Sequence, residues 1–593
     1  MPAVGKHTRT LHLFLALLAS IAPGHCRLGA QNLPIAIDGQ FQDWTEEATA
    51  WVDATGDGNS TDLLRLYAAN DENYLFLRLE LDQDILLTEN NPLVLLIDTD
   101  NNPLTGKVSN GIGAELEIKF GDRSGNFYFG NASYNLSLYQ VDFHHLPTVS
   151  SREFEMAIGR NVVLAGSIPL FQGNVIRLAF RYGAGDQFPD SGSALTYEFN
   201  NEPVEALTPV ALDKEDEAHI RLLTWNVLSD GLDDFDRAPR FRNVLEVLRP
   251  DVVTFNECWD QTSSQVASFM NLALPLGNFQ SWKSVKADDG NVTVSRYPIL
   301  QHWNFYPGHR LTAVLLDLPD DQYPKDLLVI NAHLRCCSGG NYFRQLEADA
   351  FAAFIQDAKT PGGEIDLPEN TPFVLSGDLN LVGWQQQLTT LLAGEVVNTG
   401  FFGSGGAPDW DGTDLLDVIA IQTDQRMAYT WCKSSSEYPP SRLDYHICSN
   451  SVLNVEKAFT LNTEVMPLPR LQQYSLDKFD TRIASDHLPR VTDFSISTAS
   501  PVSVQVPAGR DYAMRIAPNP ATDLLRISYE ATPGQELHFR LMDVHGRLHL
   551  ERDLSDAAGE QTMELGLSGL PPGVYLAQLI GPGGSQQTIL IKQ

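Results

Sequence analysis

Between residues 34 and 200, apolar and polar side chains alternate with a period of two, as in Leu64-Arg65-Leu66-Tyr67 and Tyr74-Leu75-Phe76-Leu77-Arg78-Leu79. A pleated strand with one covered face requires that alternation, and clusters of Gly, Asn and Asp between the runs supply turns. The pattern predicts an antiparallel β-sandwich over 34–200. Residues 201–217 are polar and proline-bearing and read as a linker. From 218 to 497 the pattern changes to short continuous apolar runs, such as Ile220 to Leu223 and Leu327 to Ile330, alternating with helical spacing. The clearest helix covers 342–358, with Phe343, Leu346, Ala350, Phe354 and Ile355 on one stripe. Strands mixed with helices in this way predict an α/β domain. A Ser/Thr/Pro/Val-rich linker over 498–510 leads into a small all-β module at 511–593, where turn residues recur at short intervals.

A length of 593 residues exceeds one ordinary core, so several domains are expected. With 43% hydrophobic and 20% charged residues the chain is globular. Its net charge of −34 excludes a basic nucleic-acid arm, so any phosphate chemistry must draw on a bound metal and a few local cations. Residues 1–30 read as a signal peptide: Lys6, His7 and Arg9 precede an apolar run from 11 to 22, which is too short to span a bilayer. Export permits disulfides, and removal of Cys26 leaves five cysteines. Cys432 with Cys448 is the preferred pair; Cys336-Cys337 reads as a strained disulfide, a soft-metal site or two small loop residues.

Polar residues stand at the ends of the central apolar runs in an ordered series. Asn226 closes the run from Arg221, Glu257 follows Asp251 to Asn256, and His333 follows Leu327 to Ala332. Asp378 and Asn380 follow Phe373 to Gly377, Asp444 lies in Arg442-Leu443-Asp444-Tyr445, and Asp486-His487 follows Ser485. One such residue is more often a cap or turn former. A whole series, each at the rim of a buried strand, predicts a site.

The segments Thr224-Trp225-Asn226, Phe255-Asn256-Glu257, Ser295-Arg296-Tyr297-Pro298, Asn331-Ala332-His333, Ser376-Gly377-Asp378-Leu379-Asn380, Arg442 to Tyr445 and Ser485-Asp486-His487 resemble, in order, the motifs of the endonuclease/exonuclease/phosphatase superfamily. That resemblance implies a four-layer sandwich of two packed mixed β-sheets flanked by helices, acting as a divalent-metal-dependent phosphodiester hydrolase. By the same resemblance, Glu257, Asn226 and Asp486 hold Mg²⁺ or Mn²⁺, a hard cation suited to oxygen donors. Asp378 orients or deprotonates the attacking water and Asn380 steadies it. His487 meets the phosphate with Asp444 fixing its tautomer, and His333 is a second histidine. Abasic-site enzymes carry a tyrosine in place of His333 and an acidic residue in place of Leu228, so a repair role is disfavoured. Arg335 is either a phosphate contact or a surface arginine, and Arg344 and Gln345 are structural.

The N-terminal segment, through Ile37-Asp38-Gly39, Asp43-Trp44, Asp57, Thr61-Asp62-Leu63 and Leu96 to Asp100, resembles carbohydrate-binding module family 9, which implies a glycan partner. Trp44 is a stacking ring or, more commonly, a core residue; Asp98, Asp100 and Asn102 form an oxygen-rich turn that can hold structural Ca²⁺ or be a solvated hairpin. The C-terminal segment, with Ala517-Pro518-Asn519-Pro520, Gly546 and Leu570-Pro571-Pro572-Gly573-Val574-Tyr575, resembles the sorting domain of type IX secretion, implying that machinery as partner and release to the medium or outer surface after periplasmic transit. Three functions follow: a nuclease or general phosphodiesterase, a sphingomyelinase-like or small-phosphate hydrolase, or a degenerate binding protein. Retention of the whole polar series counts against the last.

Overall fold

The computed structural model describes residues 33–497 and 514–592, except 46–47, 110, 191–193, 278–279, 520, 532–536, 544–547, 555–558, 572 and 582–583. The signal-peptide segment with Cys26 and the 498–510 linker lie outside the described residues. The chain forms two compact units, Met1–Thr498 and Ala499–Gln593.

In the first unit, the N-terminal part is all antiparallel β. One sheet runs Thr49–Val52, Leu63–Asn70, Tyr74–Ile85, Ser151–Gly159, His144–Leu146. The other runs Asp186–Phe188, Val175–Tyr182, Leu93–Asp98, Leu116–Lys119, Ser124–Phe129, Ala132–Ser137, with Leu195–Glu198 also paired to Val175–Tyr182. Along Tyr74–Ile85, Leu75, Leu77 and Leu79 enter a core shared with Leu95, Ile97, Leu116 and Ile118 of the second sheet. Phe76 points the other way, into an apolar cluster with Trp44, Ala69 and Ala157 that includes Met427, Ala428, Tyr429 and Leu488 from the central part. That second face is apolar only at the covered end; farther along it Arg65, Arg78, Glu80 and Glu153 form ion pairs. Trp44 is buried, with its indole N–H donating to Glu155 Oε2 at 3.1 Å, so its ring is a core element.

The central part has two six-stranded mixed sheets. The first runs Lys283–Asp288, Gly290–Ser295, Val252–Cys258, Ile220–Asn226, Arg490–Ile496, Leu453–Thr460, with Ile220–Asn226 and Val252–Cys258 parallel. The second runs Ile299–Tyr306, Leu311–Leu316, Leu327–His333, Phe373–Asp378, Asp444–Cys448, Leu416–Asp417, with Leu327–His333 and Phe373–Asp378 parallel. Ile220, Leu222, Val252, Val314, Val329, Val374 and Phe494 from both sheets share one cluster. The opposite faces pack on helices Ala238–Leu248 and Ser263–Ala273, and on Asn341–Lys359 and Gln385–Ala393.

Two sequence expectations change here. Helix Asn341–Lys359 buries Arg344, Glu347, Phe351, Phe354 and Ile355, whereas Phe343 is 42% exposed beneath the Arg335 guanidinium. The stripe is shifted because Arg344 is drawn inward to donate to the carbonyls of Arg335 and Cys337. The five described cysteines are all free, so Cys432 and Cys448 are not bonded. Cys448 is buried in the core between the sheets at the far end of its strand from Asp444, whereas the Cys432 N–H donates to the Asp486 carbonyl beside the site.

The second unit holds a three-stranded sheet, Arg515–Ala517, Leu524–Ala531, Gly559–Gly566, and a four-stranded one, Leu548–Asp553, His538–Asp543, Gly573–Gly581, Gly584–Lys592. Leu525, Ile527, Phe539, Leu541, Ala577 and Leu579 fill its core.

Candidate active site

Strand register sets three ionisable groups side by side. His333 is opposite Asp378 in the parallel pair, and Asp378 is opposite Asp444 in the antiparallel pair. The strands can approach there only because residue 377 is glycine: at φ +146° a Cβ would stand 1.9 Å from the Ala332 carbonyl oxygen. His487 arrives from the other sheet, its Nδ1 2.8 Å from Asp444 Oδ2 and its Nε2 3.7 Å from Asp378 Oδ2. His333 Nε2 is 3.6 Å from the same Asp378 oxygen. Between the sheets at this end the contacts are polar: Asn256 donates to Asn331 Oδ1 at 2.8 Å and accepts from the Asp378 N–H at 3.0 Å.

Burial pushes Asp378 up to about 7; His487 opposes this and Asp444 adds to it. Burial works against charge on His487 as well, yet the Asp444 and Asp378 carboxylates carry it up to about 10. His333 is held well below its ordinary value by burial, Arg310 and His487. The site thus presents a protonated imidazole at His487, with Nδ1–H donating to Asp444 and Nε2–H directed toward Asp378. His333 stays neutral.

Beside this row stand Asn226 and Glu257. Asn226 Nδ2 donates to Glu257 Oε1 and to Asp378 Oδ2, both at 3.0 Å, and the Ser229 N–H donates to Glu257 Oε2 at 2.9 Å. A bulge between Phe255 and Cys258 turns Glu257 out of the ladder at φ +63°. Leu228, Ser229 and Asp230 follow one another at φ +50°, +52° and +58°, and Asn380 is at +48°. Non-glycine residues held in the left-handed region cost about 1 kcal/mol or more each, and their concentration on one rim marks a functional surface. Asp486 ion-pairs with Lys433 at 3.3 Å, while its Oδ1 is buried without a partner.

Glu257, His333, Arg335, Asp378, Asn380, Asp486 and His487 all line one cavity of about 480 Å³, and Asn226 and Asp444 lie beneath it, hydrogen-bonded to its walls. All nine sequence-predicted residues therefore come together. The same cavity is lined by residues that sequence reading missed: Arg310, Lys433, Trp259, Trp431, Tyr438 and Glu89. Trp259 packs beside His333 and under Arg310, over Gly290, where a Cβ would meet its ring at 2.5 Å. Glu89 belongs to the N-terminal sandwich and accepts the Tyr438 hydroxyl at 2.6 Å. A larger cavity of about 600 Å³ lies at the seam between Asp71 to Phe76 and Asp424 to Met427 and holds none of the predicted residues.

Asp98 and Asp100 gather with Glu115 in the sandwich, while Asn102 uses its backbone N–H to donate to both aspartates. Among the described residues, no helix is long and apolar enough to cross a membrane.

Residues 223–487 match the model of the Endonuclease/Exonuclease/phosphatase family, and residues 515–593 match that of the Secretion system C-terminal sorting domain. The chain therefore carries a domain of each kind, as the motif series and the tail predicted. Neither match reaches the N-terminal sandwich, so the expected likeness to a carbohydrate-binding module is not found there. Similar solved structures include an endonuclease/exonuclease/phosphatase from Beutenbergia cavernae (18% identity over 63% of this chain and 100% of that one, TM-score 0.31). Others are the human Nocturnin catalytic domain with bound sulfate (18%, 47% and 95%, 0.28) and ANGEL2, a 2',3'-cyclic phosphatase (14%, 46% and 95%, 0.32). No curated protein matches the chain.

Proposed function

We propose that this protein is an exported, divalent-metal-dependent phosphodiester hydrolase, a nuclease or general phosphodiesterase. The carrying observation is the convergence of Asp378, Asp444 and His487, with ligand atoms within 4.8 Å of one another, on a cavity that also receives His333 and Asn380.

Glu257 and Asp486, with the Asn226 amide, would hold Mg²⁺ or Mn²⁺. The two carboxylates offer oxygen donors, and Asp486 Oδ1 is buried without a partner. The Asn226 amide, with Nδ2 on Glu257 and Asp378 and Oδ1 on the Leu228 N–H, steadies Glu257 and would have to turn to offer its own oxygen. A metal held there would supply positive charge against the phosphoryl oxygens. Asp378, carried to about 7, orients the attacking water and takes its proton. His487 donates Nε2–H to a phosphoryl oxygen, steadied by Asp444 through Nδ1. Neutral His333 supplies a further hydrogen bond, Asn380 positions the water, and Arg310, Arg335 and Lys433 add positive charge to the cavity wall. Trp259, Trp431 and Tyr438 offer flat faces on which a base can stack.

A second reading, a phospholipid head group or small phosphate ester as substrate, is favoured by the net charge of −34 and by Glu89 in the cavity, both of which repel a polyanion. A panel of plasmid DNA, RNA, sphingomyelin and bis-nitrophenyl phosphate, with Mg²⁺ or Mn²⁺ and with EDTA, separates the two. Cleavage of plasmid and RNA sinks the lipid reading; inactivity on all four sinks the enzyme. Activity that persists in EDTA removes the metal.

The sorting domain and the signal peptide together support type IX export to the medium or cell surface. Deleting 516–593 should trap the protein in the periplasm, and release at the normal level would refute the sorting role. For the sandwich, a glycan partner remains the sequence-based proposal, and glycan-array binding by the whole chain is its test.

A further inference from the structure

Five aspartates of the sandwich meet at its edge. Asp53, Asp57 and Asp62 lie in the loop joining Thr49–Val52 to Leu63–Asn70, and Asp186 and Asp190 lie at and after the hairpin strand Asp186–Phe188. They make two groups that share Asp186. Ligand atoms of Asp53, Asp186 and Asp190 lie within 4.8 Å of one another, and so do those of Asp57, Asp62 and Asp186.

Acidic clusters are common on surfaces, but this one has a buried member with one carboxylate oxygen left unsatisfied. Asp53 is 8% exposed and its Oδ2 has no hydrogen-bond partner. Unpaired buried carboxylate oxygen is costly unless a cation or donor meets it. The other members are set in place by backbone donors. Asp62 accepts the Gly56 and Gly58 N–H groups at 2.7 and 2.8 Å, and Asp186 accepts those of Leu63 and Gln187, both at 2.6 Å. The cleft beside the cluster is lined by three of these carboxylates, Asp57, Asp186 and Asp190, against one cationic side chain, Arg181.

We propose that these five aspartates form a calcium site that ties the 53–62 loop of one sheet to the Asp186 hairpin of the other. The class follows from the donors. Carboxylate oxygens on two loops suit the large, irregular coordination shell of Ca²⁺, whereas Mg²⁺ demands a tight octahedron and keeps its waters. An exported protein meets calcium at the levels that extracellular modules bind, on the order of 10⁻⁴–10⁻³ M.

A different observation carries a second calcium site. At Asp98, Asp100 and Glu115, two carboxylate oxygens, Asp98 Oδ2 and Glu115 Oε1, are buried without partners in residues 0% and 2% exposed.

The test counts calcium on the full chain, stripped with EDTA and returned to excess Mg²⁺, by equilibrium dialysis over roughly 10⁻⁵–10⁻² M. The wild type should bind two equivalents. Asp57→Asn/Asp190→Asn, altered at two exposed positions and so expected to fold, should bind one fewer, and Glu115→Gln should bind one fewer independently. Calcium should raise the wild-type melting temperature and raise that of the double variant less. An undiminished count in Asp57→Asn/Asp190→Asn, absence of binding in the wild type, or displacement of calcium by equal Mg²⁺ would each overturn the five-aspartate site. An undiminished count in Glu115→Gln overturns the second.

Discussion

The Tyr438 hydroxyl donates to Glu89 Oε1 at 2.6 Å, joining a cavity-lining loop of the central domain to the N-terminal sandwich. The same loop is held by Arg123, which pairs with Glu437 at 2.9 Å and lies 4.4 Å over the Tyr438 ring, and by the Tyr139 hydroxyl, which accepts the Lys433 N–H at 2.6 Å. Three sandwich residues thus set the loop that brings Lys433 to Asp486. Tyr438→Phe removes one hydrogen bond to a carboxylate, of the class worth about 1.5–3 kcal/mol. KM for bis-nitrophenyl phosphate should rise on the order of tenfold while kcat stays within about threefold. An unchanged KM would show that the loop does not need this hydrogen bond to the sandwich.

The Asp444–His487 hydrogen bond predicts a graded set of losses. His487→Ala should lower kcat by about 10²–10⁴, the range for a positioned acid–base group. Asp444→Asn should fall in the same range, because the imidazole loses the carboxylate that raises its pKa and fixes its tautomer. Asp378→Asn should also abolish turnover. Asp444→Asn and Asp378→Asn should melt close to wild type, whereas His487→Ala, which strips the buried Asp444 carboxylate of its partner, should melt lower. Full activity in any of the three removes its assigned role.

Gly377 predicts a stability effect. Gly377→Ala drives a methyl group against the Ala332 carbonyl and demands φ +146° of an alanine. A loss of at least about 2 kcal/mol in urea unfolding is expected, together with lost activity as His333 and Asp378 separate. A variant as stable as wild type would mean that the two strands can part at no cost.

His145 predicts a pH effect in the sandwich. Burial depresses its pKa to about 4, so the folded state excludes the imidazolium. Its contribution is fully present above the unfolded value of about 6.5; it is lost as pH falls from there toward 4 and is then constant. The loss is roughly 3 kcal/mol. Buried Glu155, raised well above its ordinary value, acts in the opposite sense, so the effect is read as a difference. The wild type should lose more stability between pH 7 and 4 than His145→Asn does, and parallel curves would refute the assignment.

The site was legible in the sequence where a buried strand ends in a polar residue. Asn226, His333 and Asp378 had that signature because a central strand leaves only its end free for chemistry. Glu89, Arg310 and Lys433 had no such mark. Glu89 and Lys433 stand on loops placed by packing between segments hundreds of residues apart, and Arg310 on a hairpin turn that meets Trp259 and His333 only in the fold. The helix stripe was misplaced for a related reason: Arg344 is turned inward by loop carbonyls that no helical period encodes. The cysteines were misread because counting them says nothing about which end of a strand each occupies.

The apolar contact of Ala69, Phe76 and Ala157 with Met427, Ala428, Tyr429 and Leu488 bears on how this enzyme could be divided or re-engineered. Leu488 is the next residue after His487, so a protein cut at the apparent linker would bare a greasy patch beside its own active centre. Such a fragment should aggregate in solution. Replacing either the sandwich or the central part would therefore have to preserve this shared apolar contact.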